Sequence, residues 1–273
     1  MPGARSLSSR KLTQGVTMTA SPCEGPWELD LLTHWQLRLA GKPVQVAFRQ
    51  QRILAALALL GSRPRQVLAG LLWPAAPEAK AAGNLRTGVG QISRSFPRVL
   101  SITHDSLALD TGVIVDWQGL QERMSLIQMH ATVPEPALIA TLKTAVLLPG
   151  WTDDWAIFEH ERLNQRRLAA LETLAERFLA LGDGRHCAEA AGAAATIEPL
   201  RESAHRLLIQ GHLSTGDYYP ALRAFEFFRT RLSDELGLQP SPQMQQLIAD
   251  ITIVQVPLDS AAAWRTMARW RRM

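Results

Sequence analysis

The stretch GNLRTGVGQISRSF, Gly83 to Phe96, sets Leu85, Val89, Ile92 and Phe96 at the four-then-three spacing that lines apolar side chains along one side of a helix. With that side inward, a turn of 100° per residue directs Asn84, Thr87, Gln91 and Arg94 outward. None of the four is apolar or acidic. Asn and Gln pair with adenine, Arg pairs with guanine, and a Thr methyl meets the thymine methyl, so these four form a base-reading set. Gly88 and Gly90 each cost such a helix about 1 kcal/mol relative to Ala. Their spacing predicts that they lie on opposite flanks of Val89, where the backbone passes close to a phosphate or a neighbouring helix. Ala at both positions is then expected to raise stability and to weaken DNA binding.

The surroundings of this helix define a domain. Short strands are expected in WELDLL and WQLRLAGKPVQVAF, with a turn at Gly41-Lys42-Pro43. RQQRILAALALLG and RQVLAGLLWP read as two helices, stopped by Gly61 and Pro74. After Pro97, VLSITHDSLALDTG alternates like a hairpin around His104-Asp105. Strands, three helices and a hairpin are the order of a winged helix, whose third helix enters the DNA major groove while the hairpin lies against the backbone. From Leu31 to His104 ten bases face a single acid, Glu78. Such a surplus is the electrostatic footprint of a polyanion-binding domain. Arg49, Arg52, Arg65 and Arg86 are the residues expected on phosphates.

From IVDWQGLQERM to about Ile253 the sequence predicts helices without a strand, broken at Gly, Pro or Asp. Gly182-Asp183 and Gly216-Asp217 are turns 34 residues apart, the period of tetratricopeptide-like stacking. From Thr132 to Ile253 sixteen acids outnumber eleven bases, and stacked helix pairs leave grooves for partner proteins. The expected organisation is a disordered lead-in over 1–26, with Met18 an alternative start, and a winged helix over 27–112. An all-α tetratricopeptide-like domain follows over 113–254, then a basic amphipathic tail over 255–273. The fold class is mainly α with small β-sheets.

Other classes of function find little support. GVGQIS, Gly88 to Ser93, has neither the leading strand nor the third glycine of a dinucleotide loop, and no phosphate-loop motif occurs in the chain. His205 and His212 have no third ligand near in sequence, and the adjacent carboxylates Asp153-Asp154 and Asp234-Glu235 suit helix caps better than acid–base catalysis. No catalytic residue, metal or cofactor is expected, and the protein is not expected to be an enzyme. Two cysteines, Cys23 and Cys187, are too few for a disulfide framework. With no apolar run near 20 residues, a cytoplasmic protein without a membrane span is expected.

Two longer blocks are specific. LLPGWTDDWAIFEHERLNQRRLAALETLA and EPLRESAHRLLIQGHLSTGDYYPALRAFEFFRTRLSDELGLQPSPQM resemble the bacterial transcriptional activator domain. In the Streptomyces antibiotic regulatory protein (SARP) family an OmpR-type winged helix precedes that domain, and the resemblance covers about Trp27 to Ile253. It implies a transcription activator that binds double-stranded promoter DNA, often as side-by-side copies on direct repeats, and recruits RNA polymerase. Asn84-Leu85-Arg86 matches the family's third helix, whereas Ile92-Ser93-Arg94 only approximates its second part. The alternative is a helical scaffold or signalling adaptor whose winged helix contacts protein instead of DNA.

Overall fold

The computed structural model describes residues 25–255. The expected lead-in and basic tail lie outside the described residues, apart from the last two residues of the lead-in and the first of the tail. Strands β1 (Trp27–Asp30), β2 (Gln36–Leu39) and β3 (Lys42–Val44) open the chain. They pair antiparallel in sequence order, Leu29 opposite Leu37 and Leu37 opposite Val44. The turn between β2 and β3 is centred on Ala40 and Gly41, both at positive φ, one residue earlier than the Gly-Lys-Pro spacing predicts.

Three helices follow: α1 (Phe48–Leu60), α2 (Arg65–Leu72) after the two-residue strand β4 (Arg63–Pro64), and α3 (Glu78–Ser95). The third begins five residues before Gly83. Ala79, Ala81 and Ala82 are strong helix formers, Pro77 halts the chain ahead of them, and Glu78 sits favourably in the first turn against the helix dipole. The hairpin β5 (Leu100–Ile102) and β6 (Ser106–Leu109) turns at His104-Asp105 as expected, and β4 adds to its edge in the order β4-β6-β5.

After the hairpin the structure departs from the all-helical expectation. Val113–Val115 form β7, which pairs parallel with β1 and completes a four-stranded sheet of order β3-β2-β1-β7. Its Val-Ile-Val alternates buried, exposed, buried, the pattern of a half-covered strand that three residues are too few to reveal in sequence. The first domain's sheet therefore extends past the expected boundary at residue 112.

The remaining described chain is helical: α4 (Asp116–Gln128), α5 (Pro136–Thr144), α6 (Asp154–Ala180), α7 (Gly184–Ile197), α8 (Glu202–Ser214), α9 (Tyr218–Leu236) and α10 (Pro242–Gln255). The turns before α7 and α9 repeat one geometry. Gly182 and Gly216 adopt φ of 76° and 79°, and the next amides, of Asp183 and Asp217, reach back to Phe178 and His212 carbonyls at 2.9 Å in both cases. The 34-residue period thus has a structural counterpart. Cys187 is buried between α7 and α8, where burial pushes its thiol up to about 11.

One continuous apolar core runs from Trp27 on β1 to Leu207 on α8, so the winged helix and the helical stack share an interior. Polar ties reinforce the junction. The Asp116 carboxylate at the start of α4 accepts from the Leu31 and Leu32 amides, each at 2.9 Å. Burial pushes that carboxyl above the usual carboxylate range, against the pull of these amides and that of Trp117. Past β1, Thr33 donates to the Val146 carbonyl at 2.8 Å and Leu148 donates to the Leu31 carbonyl at 2.9 Å.

Candidate nucleic-acid interface

Helix α3 presents the candidate surface. Ala81, Leu85, Val89 and Ile92 are buried beneath it, and Phe96 just beyond its end packs edge-on against Trp27 with ring centroids 5.9 Å apart. The Trp27 indole also donates to the Pro97 carbonyl at 2.9 Å. Both contacts pin the end of α3 to the first sheet. Thr87, Gln91 and Arg94 are exposed along the opposite side, and Lys80, one turn above Asn84, joins them. Lys80 is absent from the set expected from sequence because the helix was expected to start after it.

Each outward residue has a definite state. The Thr87 hydroxyl donates to the Gly83 carbonyl at 3.0 Å, as helical threonines commonly do, and its methyl remains. Arg94 folds back so that Nε donates to the Gly90 carbonyl at 3.1 Å, which leaves its terminal nitrogens for other acceptors. Asn84 is half-buried and not fully outward as the spacing predicts. Gln91 accepts a hydrogen bond at 3.4 Å from Gln50, a buried residue of α1 that the sequence did not single out.

Of the four arginines expected on phosphates, Arg49 and Arg86 are exposed. Arg65 and Arg86 line one groove between α2 and α3, together with Trp73 and Leu85. Arg65 also donates to the Thr103 carbonyl at 3.4 Å. Arg52 is otherwise engaged. Its guanidinium pairs with Asp153, donates to the Leu72 carbonyl and lies 5.8 Å from the centroid of Trp73. A phosphate role for Arg52 gives way to a junction between the domains, because Asp153 already supplies the anion.

The two glycines also separate. Gly88 is buried, and a Cβ built there would lie 2.5 Å from Ile53 Cδ1 on α1, whereas one at Gly90 would meet nothing within 4 Å. The close approach at Gly88 is to a neighbouring helix, not to DNA. The wing bears no Lys or Arg between Val99 and Val115, and its tip, His104 and Asp105, is almost fully exposed. Among the described residues no group of three metal-ligating side chains comes together, and no helix is long and apolar enough to cross a membrane.

Residues 142–252 match the family model of the bacterial transcriptional activator domain. The chain carries a bacterial transcriptional activator domain. The matched residues follow the winged helix, an order similar to that of SARP-type regulators. The chain is 25% identical over 225 residues to Regulatory protein DnrI of Streptomyces peucetius, across 74% of this chain and 83% of that protein. It is 28% identical over 234 residues to Regulatory protein AfsR of Streptomyces coelicolor, across 76% of this chain but 22% of AfsR. It is 35% identical over 115 residues to Transcriptional regulator RedD of the same species, across 40% of this chain and 30% of RedD. The chain thus spans most of DnrI and less than a third of the other two. A solved structure of Mycobacterium tuberculosis EmbR in complex with a low-affinity phosphopeptide superposes with a TM-score of 0.62 at 23% identity, over 90% of this chain and 70% of that one. That likeness is one of fold, and its two parts are the winged helix and the activator domain.

Proposed function

We propose that the protein is a sequence-specific transcription activator that acts in the cytoplasm, binds promoter DNA through α3 and recruits RNA polymerase through its activator domain. The observation that carries this reading is the outward side of α3. Lys80, Thr87, Gln91 and Arg94 stand exposed there with no acid beyond Glu78 at the helix start, on a winged-helix scaffold fixed to an activator domain. Gln91 and Arg94 are assigned to base edges, with Thr87 and Asn84 beside them, and Arg49, Arg65 and Arg86 to phosphates. The side-by-side arrangement of copies on direct repeats follows from the likeness to SARP-type regulators. Genomic footprinting of cells that express the protein tests the reading. Reproducible enrichment at a set of promoters is expected, and none would favour the adaptor alternative.

A further inference from the structure

Gln50 sits at the third position of α1, 8% exposed, between the start of its own helix and the outward side of α3. Its Oε1 accepts from the Ala47 amide at 3.3 Å, and its Nε2 donates to Gln91 Oε1 at 3.4 Å. The chemistry fixes both amides. A backbone N–H only donates, so the Gln50 oxygen must face Ala47 and its amino group must face Gln91. That amino group also only donates, so Gln91 must turn its oxygen inward. Among the described residues the Gln91 Nε2 amino group has no hydrogen-bond partner, and it is the outer end of an exposed side chain.

We infer that Gln50 is a positioning residue that makes Gln91 a donor-only reader of the major groove. The inference rests on the reading of α3 as the DNA-contacting helix. An unconstrained Gln pairs with adenine through its oxygen and its nitrogen together. Here the oxygen is held by α1, and the two outward N–H groups match acceptors: O6 and N7 of guanine or O4 of thymine. Cytosine, whose groove edge offers an N4 donor, is disfavoured, and adenine loses its two-bond advantage. At the base contacted by Gln91 the protein prefers G or T on the contacted strand. One hydrogen bond of this kind is worth about a 2- to 10-fold preference.

Selection from randomised duplexes with the full chain tests this, using the parent, Gln50→Glu, Gln50→Met and Gln91→Ala. Glu at position 50 still accepts from Ala47 and keeps the helix start, but it cannot donate. It instead accepts from Gln91 Nε2 and turns the Gln91 oxygen outward. The expected result is one base pair at which the parent selects G or T, Gln50→Glu selects A or C, Gln50→Met is relaxed, and Gln91→Ala loses preference. If the parent selects a motif that Gln91→Ala leaves intact, Gln91 is no reader and the inference fails while DNA binding stands. If Gln91→Ala relaxes one base pair that Gln50→Glu leaves unchanged, the positioning role is overturned. A parent that selects no motif would remove the DNA reading itself.

Discussion

Arg52 on α1 and Asp153 at the foot of α6, 101 residues apart in sequence, form an ion pair across the junction of the winged helix and the activator domain. Both side chains are largely buried, at 16% and 18% exposure, and the same guanidinium closes on the Leu72 carbonyl and faces Trp73. Beside it an aromatic row of Phe48, Trp151 and Trp155, with centroids 5.3 and 6.0 Å apart, spans the same seam. Arg52→Ala is expected to cost about 1.5–3 kcal/mol, the range for hydrogen bonds to charged groups. A phosphate-holding arginine would instead reduce the slope of log affinity against log salt by about 1 when removed. Calorimetry should show the loss of stability, and the salt slope of DNA binding by the folded variant should be unchanged.

Gly88 and Gly90 are expected to respond oppositely to Ala. At Gly90 the added methyl meets open space in a helix, so stability should rise by about 0.4–1 kcal/mol. At Gly88 the methyl collides with the tip of Ile53, and overpacking of this kind costs about 1–3 kcal/mol. Pairing Gly88→Ala with Ile53→Val removes the colliding atom and should recover part of the loss. Denaturant unfolding of the three variants checks this, and equal gains at both glycines would contradict the packing.

These two cases show why the sequence was legible only to a point. The helix containing Gly88 was plain from its apolar spacing, and so was the order that made it the third helix of a winged helix. The distant partner was not. Periodicity places Gly88 on a flank, but it does not say that Ile53 crosses there, just as a count of bases does not say that Arg52 meets Asp153. Three residues of β7 carry too little pattern to announce a strand, and Gln50 looks like any polar residue at the start of a helix. The breaks ahead of α7 and α9, at Gly182-Asp183 and Gly216-Asp217, were legible from their residues and their 34-residue spacing. Thr87, Gln91 and Arg94 were readable as an outward set, whereas the half-buried place of Asn84 and the state of each side chain came only from its neighbours.

His205 on α8 carries a pH dependence. It is buried against Phe228, with ring centroids 4.6 Å apart, and its Nε2 lies 3.0 Å from the Pro199 carbonyl. Desolvation holds its pKa below 6.5, with Arg231 adding to the effect. The unfolded chain therefore binds the proton more readily, and stability is lost as pH falls through 6.5 toward the folded value. Thermal unfolding between pH 5 and 7.5 should show a falling midpoint below about pH 6.5, with a shallower fall in His205→Gln. An identical pH profile in that variant would exclude His205 as the source.

The wing offers an acid where a phosphate would lie. Asp105, 88% exposed at the tip, opposes a polyanion, and two like charges about 8 Å apart in water repel by about 0.5 kcal/mol. Asp105→Asn is expected to tighten DNA binding about 2-fold at low salt, with the gain fading as salt screens it. Affinity measured at two salt concentrations decides. No gain at either would mean that the wing tip stands away from the backbone.

Binding of DNA by α3 and the basic residues around it is read out by titrating a selected duplex and a scrambled duplex across a salt series. Counterion release predicts that log affinity falls linearly with log salt on both, with the selected site tighter throughout. Arg49→Ala and Arg86→Ala should each make the slope shallower by about 1 on both duplexes, whereas Arg94→Ala should cost about 1–3 kcal/mol and Gln91→Ala about 0.5–1.5 kcal/mol on the selected site alone. Binding that is insensitive to salt, or equal losses on both duplexes for all four variants, would rule out α3 as a sequence-reading DNA surface.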